Sequence, residues 1–168
     1  YDRGNCSTAA TDRRQVFNVS GVAETPKFSI KALRLLGSGW RFSPLVKIMT
    51  GAYMSITTSQ DRALSGTTAQ RVDQVLASPY GDKSISNYLN PAAFALPATG
   101  ALGHSGSYSV RGPGLWQFDM SLSRTVQVRE NQKLEFRAEA FNVTNSFHPD
   151  APTTVLNSNI FGQITTAR

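Results

Sequence analysis

From Leu115 to Val143 the chain alternates apolar and polar residues with a period of two. Trp116, Phe118, Met120 and Leu122 are separated by Gln117, Asp119, Ser121 and Ser123. The pattern continues through Val126 and Val128 and breaks at Arg129-Glu130-Asn131-Gln132. It resumes as Leu134, Phe136, Ala138 and Ala140, with Glu135, Arg137 and Glu139 between them. Successive side chains of a strand point to opposite faces. Two such runs joined by a short polar link predict an antiparallel hairpin, with strands over 115–128 and 133–143. One face is apolar throughout and the other carries the charges.

Earlier alternation predicts two more strands. Phe17, Val19, Gly21 and Ala23 share one face of a strand over 15–24, which ends at Thr25-Pro26 because Pro lacks the amide a ladder needs. Trp40, Phe42, Val46 and Ile48 oppose Arg41, Ser43 and Lys47 in a strand over 40–50, where Pro44 argues for a bulge or an edge position. Between them, Lys27 to Leu36 is compatible with a short amphipathic helical turn stopped by Gly37-Ser38-Gly39. Tyr53 to Thr57 stays extended after a kink at Gly51. A last strand begins at Ile160 and runs to Thr166.

Residues 58–114 form the longest region without strong periodicity and are dominated by Gly, Ser, Thr, Asn and Pro. So long a loop in a compact domain is functional or disordered. Tyr80, Tyr88, Phe94 and Tyr108 are its candidate anchors. Val72 to Leu76 reads as one helical turn, and Asn90-Pro91-Ala92-Ala93-Phe94 starts like a helix with Pro at its first position. Gly112-Pro113-Gly114 reads as a turn before the hairpin.

The arms of the hairpin exceed an ordinary strand of about 5–6 residues and match the roughly 9–11 tilted residues that cross a bilayer. In a soluble sandwich the apolar face would meet a second sheet. In an outer-membrane barrel it would meet lipid, and the charged face would line a wet lumen. Alternation alone permits both. Short links alternating with long loops, and aromatic residues near strand ends (Trp40, Phe42, Trp116, Phe118, Phe141), favour the barrel.

Composition narrows the choice. The 168 residues suffice for one domain with a core. Charged residues make up 17% of the chain, against about 25% in ordinary soluble domains. The net charge of +6 is scattered, with Arg13-Arg14 the only adjacent basic pair, so no nucleic-acid partner is expected. No apolar run is long enough for a transmembrane helix. The opening Tyr1-Asp2-Arg3, without an initiator Met, is expected of a fragment of a longer protein.

Candidate chemistry is sparse. Cys6 is the single cysteine, so no intrachain disulfide is expected, and His104 and His148 are its only possible metal partners among histidines. Asp119, Glu135, Arg137 and Glu139 share the polar face. Paired carboxylates there suit glycoside hydrolysis, but lumen charges bridging across strands to Arg124, Arg137 or Lys133 are the simpler reading. Ser105, in Gly103-His104-Ser105-Gly106, has neither the spacing nor the context of a nucleophile elbow. Asn5-Cys6-Ser7, Asn18-Val19-Ser20 and Asn142-Val143-Thr144 match glycosylation sequons; the last two fall in predicted strands. The chain is therefore expected to be neither an enzyme nor a holder of cofactor or metal, and no residue is assigned to substrate.

Several segments carry a resemblance. They are Asp12-Arg13-Arg14-Gln15-Val16-Phe17-Asn18, Leu36-Gly37-Ser38-Gly39-Trp40, Asn90-Pro91-Ala92-Ala93-Phe94, Arg111-Gly112-Pro113-Gly114, Phe136-Arg137-Ala138-Glu139-Ala140-Phe141-Asn142 and Asn159-Ile160-Phe161-Gly162-Gln163-Ile164. In this order they resemble the C-terminal barrel of TonB-dependent outer-membrane receptors of the Oar-like kind, which carry a carboxypeptidase-regulatory-like domain. The resemblance implies an all-β, antiparallel barrel of roughly 22 strands in the cell outer membrane, of which residues 1–168 supply a partial segment with a long loop over 58–114. It implies substrate uptake energised through TonB. The implied partners are outer-membrane lipid, a plug domain and further strands of the same protein, and the TonB complex through an N-terminal region. Set against that resemblance, residues 1–168 are expected to be part of a transporter rather than a transporter alone, with the plug, the TonB-contacting segment and the terminal strand ending in an aromatic residue expected outside them. The alternative is a soluble secreted β-sandwich that binds carbohydrate or a surface partner.

Overall fold

Period-two alternation becomes strand in the long runs over 40–50, 115–128 and 133–143. The computed structural model describes residues 12–167. In chain order its elements are β1 (Val16–Ser20), β2 (Ala23–Glu24), helix α1 (Lys31–Gly37), β3 (Trp40–Met49), β4 (Tyr53–Met54), β5 (Thr57–Thr58), β6 (Gln70–Arg71), β7 (Asp73–Gln74), β8 (Phe94–Ala95), β9 (Val110–Arg111), β10 (Leu115–Arg129) and β11 (Gln132–Ala140). The fold is all-β. The chain forms two compact units: Val16–Met49 with Trp116–Ser146, and Thr50–Leu115 with the flanking ends.

The first unit is one sheet in the order β1-β3-β10-β11, with β2 also paired to β3. β1 and β3 are antiparallel, Phe17 facing Ile48 and Val19 facing Val46. β10 and β11 are antiparallel, with Met120 opposite Ala140, Leu122 opposite Ala138 and Val126 opposite Leu134. Between β3 and β10, the Thr125 amide donates to Gly39 O at 3.1 Å and Trp40 meets Arg124, the descending order of an antiparallel pair. Gly39 is required there. Its φ is +80°, and a Cβ would stand 2.7 Å from Thr125 O, a conformation and a spacing that only glycine tolerates.

Pro44 makes neither a bulge nor an edge. β3 is flanked on both sides, and its register runs unshifted from Val16–Met49 to Glu24–Arg41. Pro44 O accepts the Gly21 amide at 3.2 Å, but Pro has no N–H to return. The ladder therefore lapses between Ser20 and Ala23 without a change of register. α1 fulfils the helical turn expected from Lys27 to Leu36. It lacks a side-chain cap, since Ile30 stands at its N-cap, and none of its residues is buried.

The second unit gathers the segment that lacks periodicity. Residues 58–114, expected as a long loop, contribute most of a small core. Met54, Ile56, Val72, Tyr88, Leu89, Ala93, Phe94, Val110, Phe161 and Ile164 are buried together. Strand content is minimal: the pairs β4-β9, β5-β6 and β7-β8 are each two residues per strand. Side chains supply the order that ladders do not. Asp61 accepts the amides of Ser65 at 3.0 Å and Gly66 at 2.6 Å. Asn157 Oδ1 accepts from Thr58 Oγ1 and the Ser59 amide. Of the expected anchors, Tyr88 and Phe94 are buried. Tyr80 packs edge-on against Tyr88 at 6.0 Å, and Phe94 against Phe161 at 5.8 Å.

Three local expectations fail here. Val72 to Leu76 is not a helical turn, because Asp73-Gln74 pair with Phe94-Ala95 and Val72 is buried. Gly112-Pro113-Gly114 is not a turn: Gly112 N donates to Ala52 O at 2.8 Å and prolongs the β4-β9 ladder. Ile160 to Thr166 is not a strand. Gly162 takes φ +75°, with a hypothetical Cβ 2.5 Å from Leu89 O, so the segment turns there and sends Phe161 and Ile164 into the core. Pro91–Ala93 does form one 3-10 turn, with Asn90 Oδ1 accepting from the Ala92 amide at 3.0 Å.

Candidate functional site: the two faces of the sheet

The register fixes two chemically opposite faces. Partners across an antiparallel pair share a face. Trp116, Phe118, Met120, Leu122 and Val126 therefore lie with Leu134, Phe136, Ala138 and Ala140 on one side, as the alternation predicts. Phe17, Val19, Val46 and Ile48 make an equivalent apolar face in β1 and β3. This surface is open: Phe17 is 57% exposed, Trp116 48% and Phe136 60%. Soluble monomers rarely expose contiguous apolar patches larger than a few hundred Å2. A face of this kind is stable against lipid.

The opposite face is polar and internally paired. Arg137 bonds Glu135 at 3.0 Å and lies 3.7 Å from Glu139. Arg41 bonds Glu24 directly across β2 and β3 at 2.7 Å. Asp119 accepts both bonds from Gln117 Nε2, at 2.8 and 2.9 Å, and the Asn142 amide at 2.7 Å. Asn142, at φ +47°, closes its own loop by accepting the Ser146 amide at 2.8 Å. Asp119 and Asn142 are thus committed to ending β11 at Ala140, which places the Asn142 sequon outside the strand; Asn18 does lie in β1. Two expected bridges are corrected. Arg124 falls opposite Phe136 on the apolar face, because it occupies an even position of the alternation. Arg137 pairs along its own strand, with its i−2 and i+2 neighbours, rather than across to β10.

Among the described residues, the other candidate side chains take up separate local contacts. His104 Nδ1 lies 2.9 Å from Asp73 Oδ1, and the His104 amide donates to the same oxygen at 2.8 Å. That amide bond, followed by the imidazole, holds the Asp73 carboxyl below its ordinary range. Ser105 Oγ is buried without a hydrogen-bond partner among the described residues, so the imidazole does not reach its proton. The hydroxyl of Tyr53 receives a bond from Arg111 Nη2 at 2.6 Å, which lowers the phenol's pKa and raises that of the guanidinium. Asp61 is held low by the Ser65 amide first. Among the described residues no three His, Cys, Asp or Glu side chains are placed to hold a metal ion. No helix among them is long and apolar enough to cross a membrane. Cys6 and Asn5 lie outside the described residues.

A two-faced antiparallel sheet, open on its apolar side and salt-bridged on its polar side, suits the wall of a barrel in lipid. Strands of 9 to 15 residues, β11, β3 and β10, reach or exceed the roughly 9–11 needed to cross at a tilt. Neither the curated proteins nor the solved structures include a match to this chain. The model of the outer membrane beta barrel domain matches residues 1–168, the whole chain. The chain belongs to the outer membrane beta barrel domain family, and its place is the outer membrane.

Proposed function

We propose that this chain is part of the barrel wall of a TonB-dependent outer-membrane receptor that takes up a substrate. The carrying observation is the sheet's sidedness: an apolar face for lipid and a polar, ion-paired face for a wet interior. The ordered resemblance to Oar-like receptors adds the energised, plugged character of the transport. Outer-membrane lipid would cover the apolar face. Further strands of the same protein would pair with β1 and β11, whose outer edges have no partner strand among the described residues, since only closure satisfies backbone groups in lipid. The plug would fill the lumen, and the TonB complex would act on an N-terminal region. The segment itself would carry no catalytic step, cofactor or metal.

The test is uptake in cells that depend on the full-length protein, across a panel of candidate nutrients, before and after collapse of the proton-motive force. At least one substrate should be lost both on deletion of the gene and on de-energisation. Uptake that survives de-energisation would replace the receptor with a passive pore.

A further inference from the structure

Arg124 is a charged residue set within the apolar face of the β10-β11 hairpin, opposite Phe136 and between Leu122 and Val126. An arginine facing hydrocarbon is costly unless its donors are met. Its guanidinium lies over the Trp40 ring at 5.3 Å, and Nη2 donates to Leu35 O of α1. Nε is buried and has no hydrogen-bond partner among the described residues.

Around it lies a groove of about 860 Å3 between α1 and β10. Lys27, Lys31, Arg34 and Arg124 line it, and no acidic residue does. Ala32, Leu35 and Val126 give it apolar walls. On α1, Leu33, Leu35 and Leu36 are exposed, as is Ile30 before it. Leucines beside cations on a short, unburied helix suit the headgroup–acyl boundary. Charge selects an anion, and the walls select one attached to acyl chains.

We infer that this groove binds the headgroup phosphate of an anionic glycerophospholipid such as phosphatidylglycerol. Lys27, Lys31 and Arg34 would surround the phosphate, Arg124 Nε would gain its missing acceptor, and the chains would lie along the apolar face. The source follows from position. Gly39, Arg124 and Thr125 lie toward the end of the sheet that carries the tight turn between Arg129 and Gln132. Outer-membrane barrels place their short turns on the periplasmic side, where glycerophospholipids form the leaflet. The site rests on the lipid-facing assignment made above.

The experiment uses the full-length protein in neutral detergent, titrated with phosphatidylglycerol and read by native mass spectrometry. The variants are Lys27→Gln/Lys31→Gln/Arg34→Gln and, on the polar face, Lys47→Gln. At about fivefold per cation removed, the triple variant should bind roughly a hundredfold more weakly. Lys47→Gln should bind like wild type, and phosphatidylcholine should bind all three weakly. Unchanged affinity in the triple variant overturns the site. Displacement by millimolar inorganic phosphate reassigns it to a soluble anion, and preference for lipopolysaccharide reassigns the source; both overturn the proposal. If the triple variant does not fold, Lys27→Gln alone decides it, with the fivefold loss. A wild type that stays soluble without detergent refutes the membrane assignment itself, a result distinct from failure of the groove alone.

Discussion

Tyr88 shows how single residues hold the unit that has no long strands. The residue is 7% exposed, and its hydroxyl donates to Arg111 O at 3.3 Å. Burial is the first cause that pushes its pKa up, to about 12, because desolvation disfavours the phenolate. The unfolded phenol ionises near 10. Folding therefore retains a proton that the unfolded chain loses, and stability falls as pH rises from about 10 towards 12. In a spectrophotometric titration of the folded protein, Tyr88 should ionise at the alkaline end and Tyr53, eased by Arg111, before it. Tyr88→Phe should abolish the late step and flatten the alkaline loss of stability; persistence of both would put the assignment elsewhere. None of this is legible in the sequence beyond the choice of Tyr88 as an anchor. Its contacts come from Gly162 and Arg111, far along the chain, and no periodicity connects them.

The hairpin is the element the sequence states most plainly. A period of two over two long runs admits one register class, since a one-residue slip would turn every apolar side chain to the polar face. That is why the faces of β10 and β11 were readable while the two-residue strands of the second unit were not. Those strands are set by tertiary contacts and by capping side chains such as Asp61 and Asn157. Pro44 misled for a related reason. The rule that excludes Pro from central strands counts the lost bond, but here the loss falls opposite Gly21, where the ladder can lapse. Arg124 marks the limit of pattern reading: its even position gives its face, while its partner on α1 appears only in three dimensions. For the hairpin, Phe136→Arg in the full-length protein should cost about 2–4 kcal/mol if Phe136 sits near the bilayer midplane. Glu135→Gln should cost far less. Denaturant titration in lipid checks both, and equal sensitivity at the two sites would contradict the sidedness.

For the chain as a whole, the open apolar face dictates behaviour in water. The sheet has too few strands to enclose a wide lumen, and an open sheet in lipid leaves backbone groups unpaired at its edges. Residues 1–168 made alone should therefore self-associate in buffer, with detergent suppressing the association. Light scattering with and without detergent tests this; a cooperative, detergent-independent monomer would favour the soluble sandwich.

The most direct measurement reads both faces within the assembled protein. Spin labels placed singly at positions 118, 122 and 136, and at 121, 135 and 137, in a Cys6→Ser background of the full-length protein reconstituted in lipid, report collisions with oxygen and with a water-soluble nickel chelate. The even positions should favour oxygen and the odd positions nickel, with the preference alternating residue by residue along β10 and β11. Similar accessibility of both sets to nickel would contradict an apolar face turned to lipid and a polar face turned to a wet lumen.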